Sequence, residues 1–306
     1  MATKDAPAAV SRPTLDDLEL PAGKKARLHD MMYHHGAGNG TLLVLPIDHG
    51  LEHGPVDFLG APYAADPEHQ FELAVRGGYS AIACQIGFAE RYFPRYAGRV
   101  PLVLKVSGKT NVPSDDEAHS PLNASVEDAV RLGAHAVGYT LYVGSPQQSR
   151  HHEDLAVVRA ECRRFGLPLI VWAYPRGAAI ERRGGRDSLY AVDYAARVAM
   201  ELGADVVKLN LPKKSEKDAD MPEKYRELEW DLAEGARRVT ASAANTLVLF
   251  SGGSRVGHED LLEKARIAMD AGATGLIFGR NMWQRPLEEA LEVTGRVKEL
   301  FGDYGA

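Results

Sequence analysis

The sequence predicts a single (β/α)8 TIM barrel, and three observations support that prediction. Short apolar runs with strong β propensity recur eight times along the chain. They begin about 20–40 residues apart, which leaves room for one crossover helix after each predicted strand. The runs are mostly apolar on both faces, as the strands of a helix-covered parallel sheet are. The runs are Leu42–Ile47, Ser80–Gln85, Pro101–Val106, His135–Thr140, Pro168–Ala173, Asp205–Leu209, Thr246–Phe250 and Thr274–Phe278.

The stretches between these runs show helical spacing and helix-end signals. In Ser125–Leu132 the first residue is predicted to cap a helix together with Asp128, and Gly133 follows as the stop. Eight such units within 306 residues favour a closed barrel over an open doubly wound sheet.

We also predict the organisation of the chain as one domain with a short N-terminal extension. Residues 1–32 form that extension, with an arm up to about Pro13 and a helical lead-in from Thr14 to Met32. Residues 33–306 form the barrel, because no low-complexity segment or linker divides them.

Composition and charge exclude several classes of function. The formal net charge of -6 argues against non-specific nucleic-acid binding, which requires a basic surface. No apolar run approaches the roughly 20 residues that span a bilayer, and the N-terminus lacks the apolar core of a signal peptide. Cys84 and Cys162 are far apart and form no disulfide framework, so we expect a reducing, cytoplasmic location.

Two lysines are candidates for a reactive amine. In a TIM barrel the active site lies at the C-terminal ends of the strands, where Lys208 in the run DVVKLN is found. Burial lowers the pKa of a lysine, and the neutral amine can then attack a ketone. Lys105 on the third run fits the same argument, and a structural ion pair is the alternative for either lysine.

Further polar residues are predicted at the same end of the barrel. Trp172 and Tyr174 are two positions apart on a strand and therefore point to the same side. A tyrosine beside a lysine can donate or accept a proton. Asp48 follows the first run and can orient the lysine or a substrate hydroxyl.

Two glycine-containing turns predict a phosphate site. They follow the seventh and eighth runs, where many TIM barrels bind phosphate. Glycines allow backbone N–H groups to approach an oxyanion, and an arginine can add a charged fork. The residues are Ser251, Gly252, Gly253, Gly279 and Arg280.

The segment His49-Gly50-Leu51-Glu52-His53 matches a zinc pattern that requires a helix. Gly50 and the following Gly54-Pro55 argue against such a helix, so a metal-dependent hydrolase or lyase using His49, Glu52 and His53 is the less favoured alternative. We predict no metal and no other cofactor. The motifs of dinucleotide oxidoreductases, P-loop NTPases and serine hydrolases are absent from the sequence.

Five segments are distinctive as a set: LPIDHGLEHGP, VWAYPRG, DVVKLN, FSGG and FGRNMWQR. Together they resemble the archaeal-type class I fructose-1,6-bisphosphate aldolase family. The resemblance runs from about Leu42 to Arg285 and implies a TIM barrel with Lys208 as the Schiff-base lysine. It also implies Tyr174 as the acid/base tyrosine and Trp172 as the aromatic beside it, Asp48 as the aspartate after the first strand and the two glycine turns as the phosphate site.

The activity implied is the reversible cleavage of fructose 1,6-bisphosphate to dihydroxyacetone phosphate and glyceraldehyde 3-phosphate, a lyase reaction of glycolysis and gluconeogenesis. The resemblance further implies a sugar-phosphate substrate and a cytoplasmic homo-oligomer, often a decamer. Relatives often have Asp-Gln-Gly where this chain has Asp48-His49-Gly50. The ligand of the second phosphate is not evident, with Arg95, Arg176 and Arg183 as candidates.

Two further alternatives remain open. One is the same Schiff-base chemistry on another ketose or ketone phosphate, as in an aldol-type synthase or thiolase of this family. The other is a non-catalytic barrel that binds a phosphosugar.

Overall fold

Each of the eight predicted runs overlaps a strand of a closed parallel barrel. The computed structural model describes residues 12–305, and within them eight strands pair in chain order, with the last beside the first. The fold class is therefore confirmed. The strands are β1 (Leu42–Pro46), β2 (Ala81–Gln85), β3 (Leu102–Lys105), β4 (Ala136–Val143), β5 (Leu169–Pro175), β6 (Val206–Leu209), β7 (Leu247–Ser251) and β8 (Gly275–Ile277).

Helices cover the outside of this barrel and alternate with its strands. The α-helices are α1 (Ala22–His29), α2 (His49–Glu52), α3 (Pro67–Arg76), α4 (Ile86–Tyr92), α5 (Val126–Arg131), α6 (Gln148–Phe165), α7 (Ala178–Glu181), α8 (Leu189–Glu201), α9 (Glu223–Arg226), α10 (Leu232–Ser242), α11 (His258–Asp270), α12 (Arg280–Trp283) and α13 (Leu287–Phe301).

The predicted helix ends around α5 are confirmed. The Ser125 hydroxyl accepts a bond from the Asp128 N–H at 3.1 Å, and the Asp128 carboxylate accepts one from the Ser125 N–H at 2.8 Å. Such a reciprocal cap stabilises a helix by roughly 1 kcal/mol. Gly133 follows the helix with a φ of 66°, the left-handed conformation in which helices commonly stop.

Alternate residues along each strand belong to two different apolar cores, one inside the barrel and one between the barrel and its helices. Side chains such as Val103 and Val206 belong to a cluster inside the barrel, whereas Leu104 and Val207 pack outward against the helices. Successive strand residues point to opposite faces, so Lys105 and Lys208 share the inner face with Val103 and Val206. The interior of the barrel is thus apolar at its base and becomes ionisable towards the C-terminal ends of the strands.

The N-terminal segment closes the base of the barrel. The predicted helix over Thr14–Met32 is wrong at its start, because α1 begins only after Pro21. A residue before proline is disfavoured in helical conformation, so a helix does not readily run through this position. A π-helix over Asp30–His34 follows, and Met31 packs into the inner core.

Two predictions meet the limits of what the structure describes. The arm up to Pro13 lies almost entirely in residues 1–11, outside the described residues, and the boundary between residues 32 and 33 stays a prediction. Within residues 12–305, no helix is both long enough and apolar enough to cross a membrane. Cys84 and Cys162 are both free and buried.

Candidate active site

A cavity of about 560 Å³ opens at the C-terminal ends of the strands, where the sequence predicted the site. Its size is within the range of small-molecule pockets. Trp172 lies directly beneath it, fully buried. The other predicted site residues all line it: Asp48, Tyr174, Lys208, Ser251, Gly252, Gly253, Gly279 and Arg280. The structure therefore brings all nine predicted residues together, while their chemical roles stay predictions.

Lys208 projects into this cavity from β6, where it pairs in register with Trp172 of β5. Its Nζ lies 5.2 Å from the Trp172 ring centre and 5.4 Å from that of Tyr174. Burial lowers the pKa of Lys208 to about 8, and the charge of Lys105 adds to this effect against the opposing carboxylates. About a tenth of the amine is then neutral at pH 7, far more than for an ordinary lysine.

Lys105 is equally buried but has carboxylate partners. Its Nζ donates to Asp48 Oδ2 at 2.8 Å and to Glu52 Oε1 at 2.5 Å. Burial opposes its charge, yet these two carboxylates raise the pKa of Lys105 above its ordinary value. Lys105 therefore stays an ammonium ion and is unsuited to attack a carbonyl group.

Asp48 is held as a carboxylate at the end of β1. Burial alone would raise its pKa, but the positive charges of Lys105, its hydrogen-bond partner, and of Lys208 hold the pKa of Asp48 well below its usual range. A carboxylate that stays ionised can accept a hydrogen bond from a substrate hydroxyl group and hold it in place.

Tyr174 stands beside Lys208 as a protonated phenol. Burial raises its pKa, and the carboxylates of Glu52 and Asp48 raise it further. The phenol thus keeps its proton at neutral pH and can donate it to a leaving hydroxyl group.

Trp172 forms the floor shared by both lysines. The Lys105 Nζ lies 4.8 Å from its ring centre, close to the corresponding distance for Lys208. Gly138 on β4 provides the space for the ring, since a Cβ there would be 2.8 Å from Trp172 Cζ3 and 3.2 Å from Lys105 Cδ. Sequence reasoning missed Gly138, although a glycine inside a strand often marks such a close approach.

The two predicted phosphate turns follow the adjacent strands β7 and β8 and line the same cavity. At Gly279 a Cβ would be 2.5 Å from His49 Cε1 and 3.1 Å from the Pro46 carbonyl oxygen, so a larger residue would displace the His49 ring. The side-chain amide of Asn281 donates to the Gly252 carbonyl at 3.0 Å and so holds the turn that follows β7. Arg280 is weakly paired: its nearest carboxylate, Asp57, is 3.9 Å away, and its buried Nε has no hydrogen-bond partner among residues 12–305. Arg280 can therefore bind an anion.

A second basic cluster lies on the other side of the cavity. It consists of Lys109, Arg176 and Arg186, which all line the cavity and all contact the carboxylate of Asp115. The Arg176 guanidinium lies 5.4 Å from the Tyr174 ring centre. Lys208 and Arg176 thus contact the same ring and are at most twice that distance apart.

The three arginines considered for the second phosphate differ in position. Arg176 lines the cavity, whereas Arg95 pairs with Glu68 on the outside of the barrel and Arg183 lies outside the cavity lining. A signal for Arg176 was available in the sequence, because it follows Tyr174 by two positions. Lys109 and Arg186 were missed, since only the fold brings their loops together.

The zinc-like segment does form one helical turn, α2, against expectation. Its side chains are nevertheless engaged separately: Glu52 binds Lys105, and His53 Nδ1 lies 2.7 Å from Asp57 Oδ2. Burial lowers the pKa of His49 to about 3. No group of three or more potential metal ligands is arranged to hold a metal ion in the described part of the chain. This geometry does not favour the metal-dependent alternative.

The barrel and its buried amine define a lyase of the Schiff-base class. Residues 42–285 match the family described as DeoC/LacD family aldolase, and the chain belongs to this family. The chain is 40% identical over 265 residues to the class 1 fructose-bisphosphate aldolase of Thermoproteus tenax, with 86% of this chain and 90% of that protein covered.

Two further similarities bear on substrate and chemistry. A protein of Methanocaldococcus jannaschii named fructose-bisphosphate aldolase/6-deoxy-5-ketofructose 1-phosphate synthase is 31% identical over 268 residues, covering 84% of this chain and 80% of that protein. An archaeal fructose-1,6-bisphosphate aldolase, solved with its catalytic lysine bound to the carbinolamine of the substrate, is 37% identical with a TM-score of 0.75. That alignment covers 89% of this chain and 98% of the solved one.

Proposed function

We propose that this protein is a class I fructose-1,6-bisphosphate aldolase in which Lys208 forms the Schiff base. The observation that carries this proposal is a buried amine with a lowered pKa between two anion-binding regions of one cavity. The Thermoproteus tenax relative, which bears that name, supports the same activity. The reaction uses an iminium ion as its electron sink and involves no metal or other cofactor.

The chemistry follows from the protonation states in the cavity. The neutral amine of Lys208 attacks the ketone carbon to give a carbinolamine. Tyr174 donates its proton to the departing hydroxyl group, which leaves as water, and an iminium ion remains. The Tyr174 phenolate left by this step takes the proton of the hydroxyl group next to the breaking carbon–carbon bond, while Asp48 holds that hydroxyl group by a hydrogen bond. The electrons of the breaking bond move into the iminium.

Products then leave in order. Glyceraldehyde 3-phosphate departs first, and Tyr174 protonates the remaining enamine. Water adds to the resulting iminium and returns a proton to Tyr174, and the carbinolamine then breaks down to dihydroxyacetone phosphate and free Lys208. The Trp172 ring holds the amine in place from below.

The two anion-binding regions fit the two phosphates. We assign the phosphate nearest the ketone to Ser251, Gly252, Gly253, Gly279 and Arg280. We assign the second phosphate to Lys109, Arg176 and Arg186, because guanidinium groups bind phosphate oxygens in pairs of hydrogen bonds. This second region also favours a bisphosphate substrate over a ketose with one phosphate, such as the 6-deoxy-5-ketofructose 1-phosphate in the second activity named for the Methanocaldococcus jannaschii relative.

The proposal is tested by a coupled assay of fructose 1,6-bisphosphate cleavage with and without EDTA. We expect turnover that EDTA leaves unchanged, abolished in Lys208→Met and retained in the control Lys224→Met on the exposed face of α9. Fructose 1-phosphate and other ketose phosphates are assayed in parallel. Cleavage of another ketose phosphate but not of the bisphosphate would favour the same-family alternative. Normal ligand binding without any turnover would favour a phosphosugar-binding barrel.

We also propose that the protein works in the cytoplasm as a homo-oligomer. Two buried free cysteines suit a reducing compartment. Val56 and Leu59 are exposed near the mouth of the barrel and are candidates for a contact between copies. Light scattering coupled to size-exclusion chromatography measures the assembly, and a monomeric mass contradicts this part of the proposal.

A further inference from the structure

Asp115 lies among the three cations that we assign to the second phosphate. Its Oδ1 is 2.9 Å from Lys109 Nζ, and its Oδ2 is 3.1 Å from Arg176 Nε and 3.2 Å from Arg186 NH1. The three cations come from the loops after β3 and β5, and the carboxylate connects them. A carboxylate with two guanidinium groups and an ammonium around it occupies the kind of site that a phosphate would take.

The charges disfavour a site in which the Asp115 carboxylate and a substrate phosphate are both bound to the three cations. Three cations and one carboxylate leave a local surplus of positive charge, and the carboxylate of Asp115 is only partly exposed. The cations hold the pKa of Asp115 below its ordinary value, so it stays ionised at neutral pH. A phosphate dianion that enters this region therefore meets a like charge unless the carboxylate moves away.

The structure provides a place for that movement. Asp115 lines both the barrel cavity and a neighbouring hollow of about 640 Å³. Lys213 and Lys217 line the hollow, where they pair with Asp187 and Glu181, so a displaced carboxylate still lies near two ammonium groups. The loop that carries Asp115 has its apolar Val112 87% exposed, so little buried surface opposes a shift of the loop tip.

We propose that Asp115 is a specificity-determining residue that occupies the second phosphate position in the empty enzyme and is displaced by that phosphate. The inference rests on the proposed aldolase function. Asp115 weakens the binding of a bisphosphate ketose and leaves a ketose 1-phosphate unaffected. Its return to the three cations after cleavage promotes the release of glyceraldehyde 3-phosphate, the product that carries this phosphate.

The test compares Asp115→Asn with Asp116→Asn. The second variant is a matched control, because Asp116 is the neighbouring residue, is exposed, and bonds to Ser114 at 2.9 Å rather than to the cluster. We expect Asp115→Asn to lower the KM for fructose 1,6-bisphosphate roughly three- to tenfold. It should tighten inhibition by glyceraldehyde 3-phosphate and leave the KM for fructose 1-phosphate unchanged. Asp116→Asn should change none of these values.

The KM values of two variants, Asp115→Asn and Arg176→Gln, distinguish a failure of the Asp115 proposal from a failure of the second-phosphate assignment. An unchanged or raised KM for the bisphosphate in Asp115→Asn overturns the inference, because Asp115 then merely positions the cations or has no role. Arg176→Gln provides the second measurement. If it raises the KM for the bisphosphate selectively, the assignment of the second phosphate stands whatever Asp115 does. If Arg176→Gln leaves the bisphosphate preference intact, that assignment itself fails, and the inference fails with it.

Discussion

Lys105 and Lys208 occupy matching positions in the barrel and have opposite properties. Both point inward from strands, both are buried, and both lie about 5 Å from the ring centre of Trp172. The pKa of Lys105 is raised, whereas that of Lys208 is lowered to about 8. The difference lies in their partners, since Lys105 binds two carboxylates and Lys208 forms no salt bridge within residues 12–305. Burial thus creates a reactive amine only where no carboxylate stands at bonding distance.

The two lysines also act on each other. Lys105 keeps Asp48 ionised, and its positive charge disfavours a second ammonium ion at Lys208. The permanent cation therefore maintains both the carboxylate acceptor and the neutral nucleophile of the proposed mechanism. Four changes test this comparison, beginning with the largest expected effect.

Lys105→Met removes the partner of two buried carboxylates. We expect a loss of about 3–5 kcal/mol in the free energy of unfolding, because breaking a buried ion pair leaves uncompensated charge. Chemical denaturation measures this loss. The double variant Lys105→Met/Glu52→Gln is the control and should recover part of the stability but not the activity. If the double variant is as active as the wild type, Lys105 has no part in the chemistry.

Tyr174→Phe removes the proton donor beside Lys208 and leaves Lys105 untouched. We expect kcat to fall roughly 10²- to 10⁴-fold, the usual range for a general acid, with little change in KM. Steady-state kinetics measure both values, and Tyr190→Phe on the outer helix α8 is a control of the same chemical change. A kcat within twofold of the wild type would exclude Tyr174 as the acid.

The pH dependence of Schiff-base formation reports the pKa of Lys208. The neutral amine is the reactive form, so the rate of trapping should rise with pH and level off above about 8. Between pH 7 and pH 8 the neutral fraction grows about fivefold. The double variant Lys105→Met/Glu52→Gln should shift this pH profile, because Lys105 lowers the pKa of Lys208 and Glu52 raises it. A profile that still rises at pH 10 would show that the pKa of Lys208 is not lowered.

Gly138→Ala tests the floor that both lysines share. The added Cβ would be 2.8 Å from Trp172 Cζ3, and we expect a loss of about 1–3 kcal/mol in the free energy of unfolding from overpacking. Gly295→Ala in α13 is the control, since nothing lies within 4 Å of a Cβ there. Thermal unfolding compares the two, and equal stabilities would mean that the ring moves without cost.

The fold was largely predictable from the sequence, and the site only in part. Apolar runs at regular spacing specify strands, so each predicted run overlaps one. Strand parity places Trp172 and Tyr174 on one face. The start of α1 was missed because the position of Pro21 was not used. The choice between Lys105 and Lys208 depends on Glu52, which lies 53 residues from Lys105 along the chain. Such a non-local contact leaves no local pattern.

The second basic cluster was unpredictable for the same reason. Asp115 and Arg186 are 71 residues apart in sequence and meet only because their loops leave the same end of the barrel. Arg176 is the exception, since its spacing from Tyr174 was readable. Residues on a strand or directly after one were thus more predictable than residues farther along the loops.

Borohydride trapping with dihydroxyacetone phosphate tests the central claim most directly. The protein is incubated with the ketone and reductant, digested, and the modified lysine is located by mass spectrometry. The two-lysine comparison predicts a reduced adduct on Lys208 and an unmodified Lys105 in the same digest. An adduct on Lys105, or no lysine adduct at all, would contradict it.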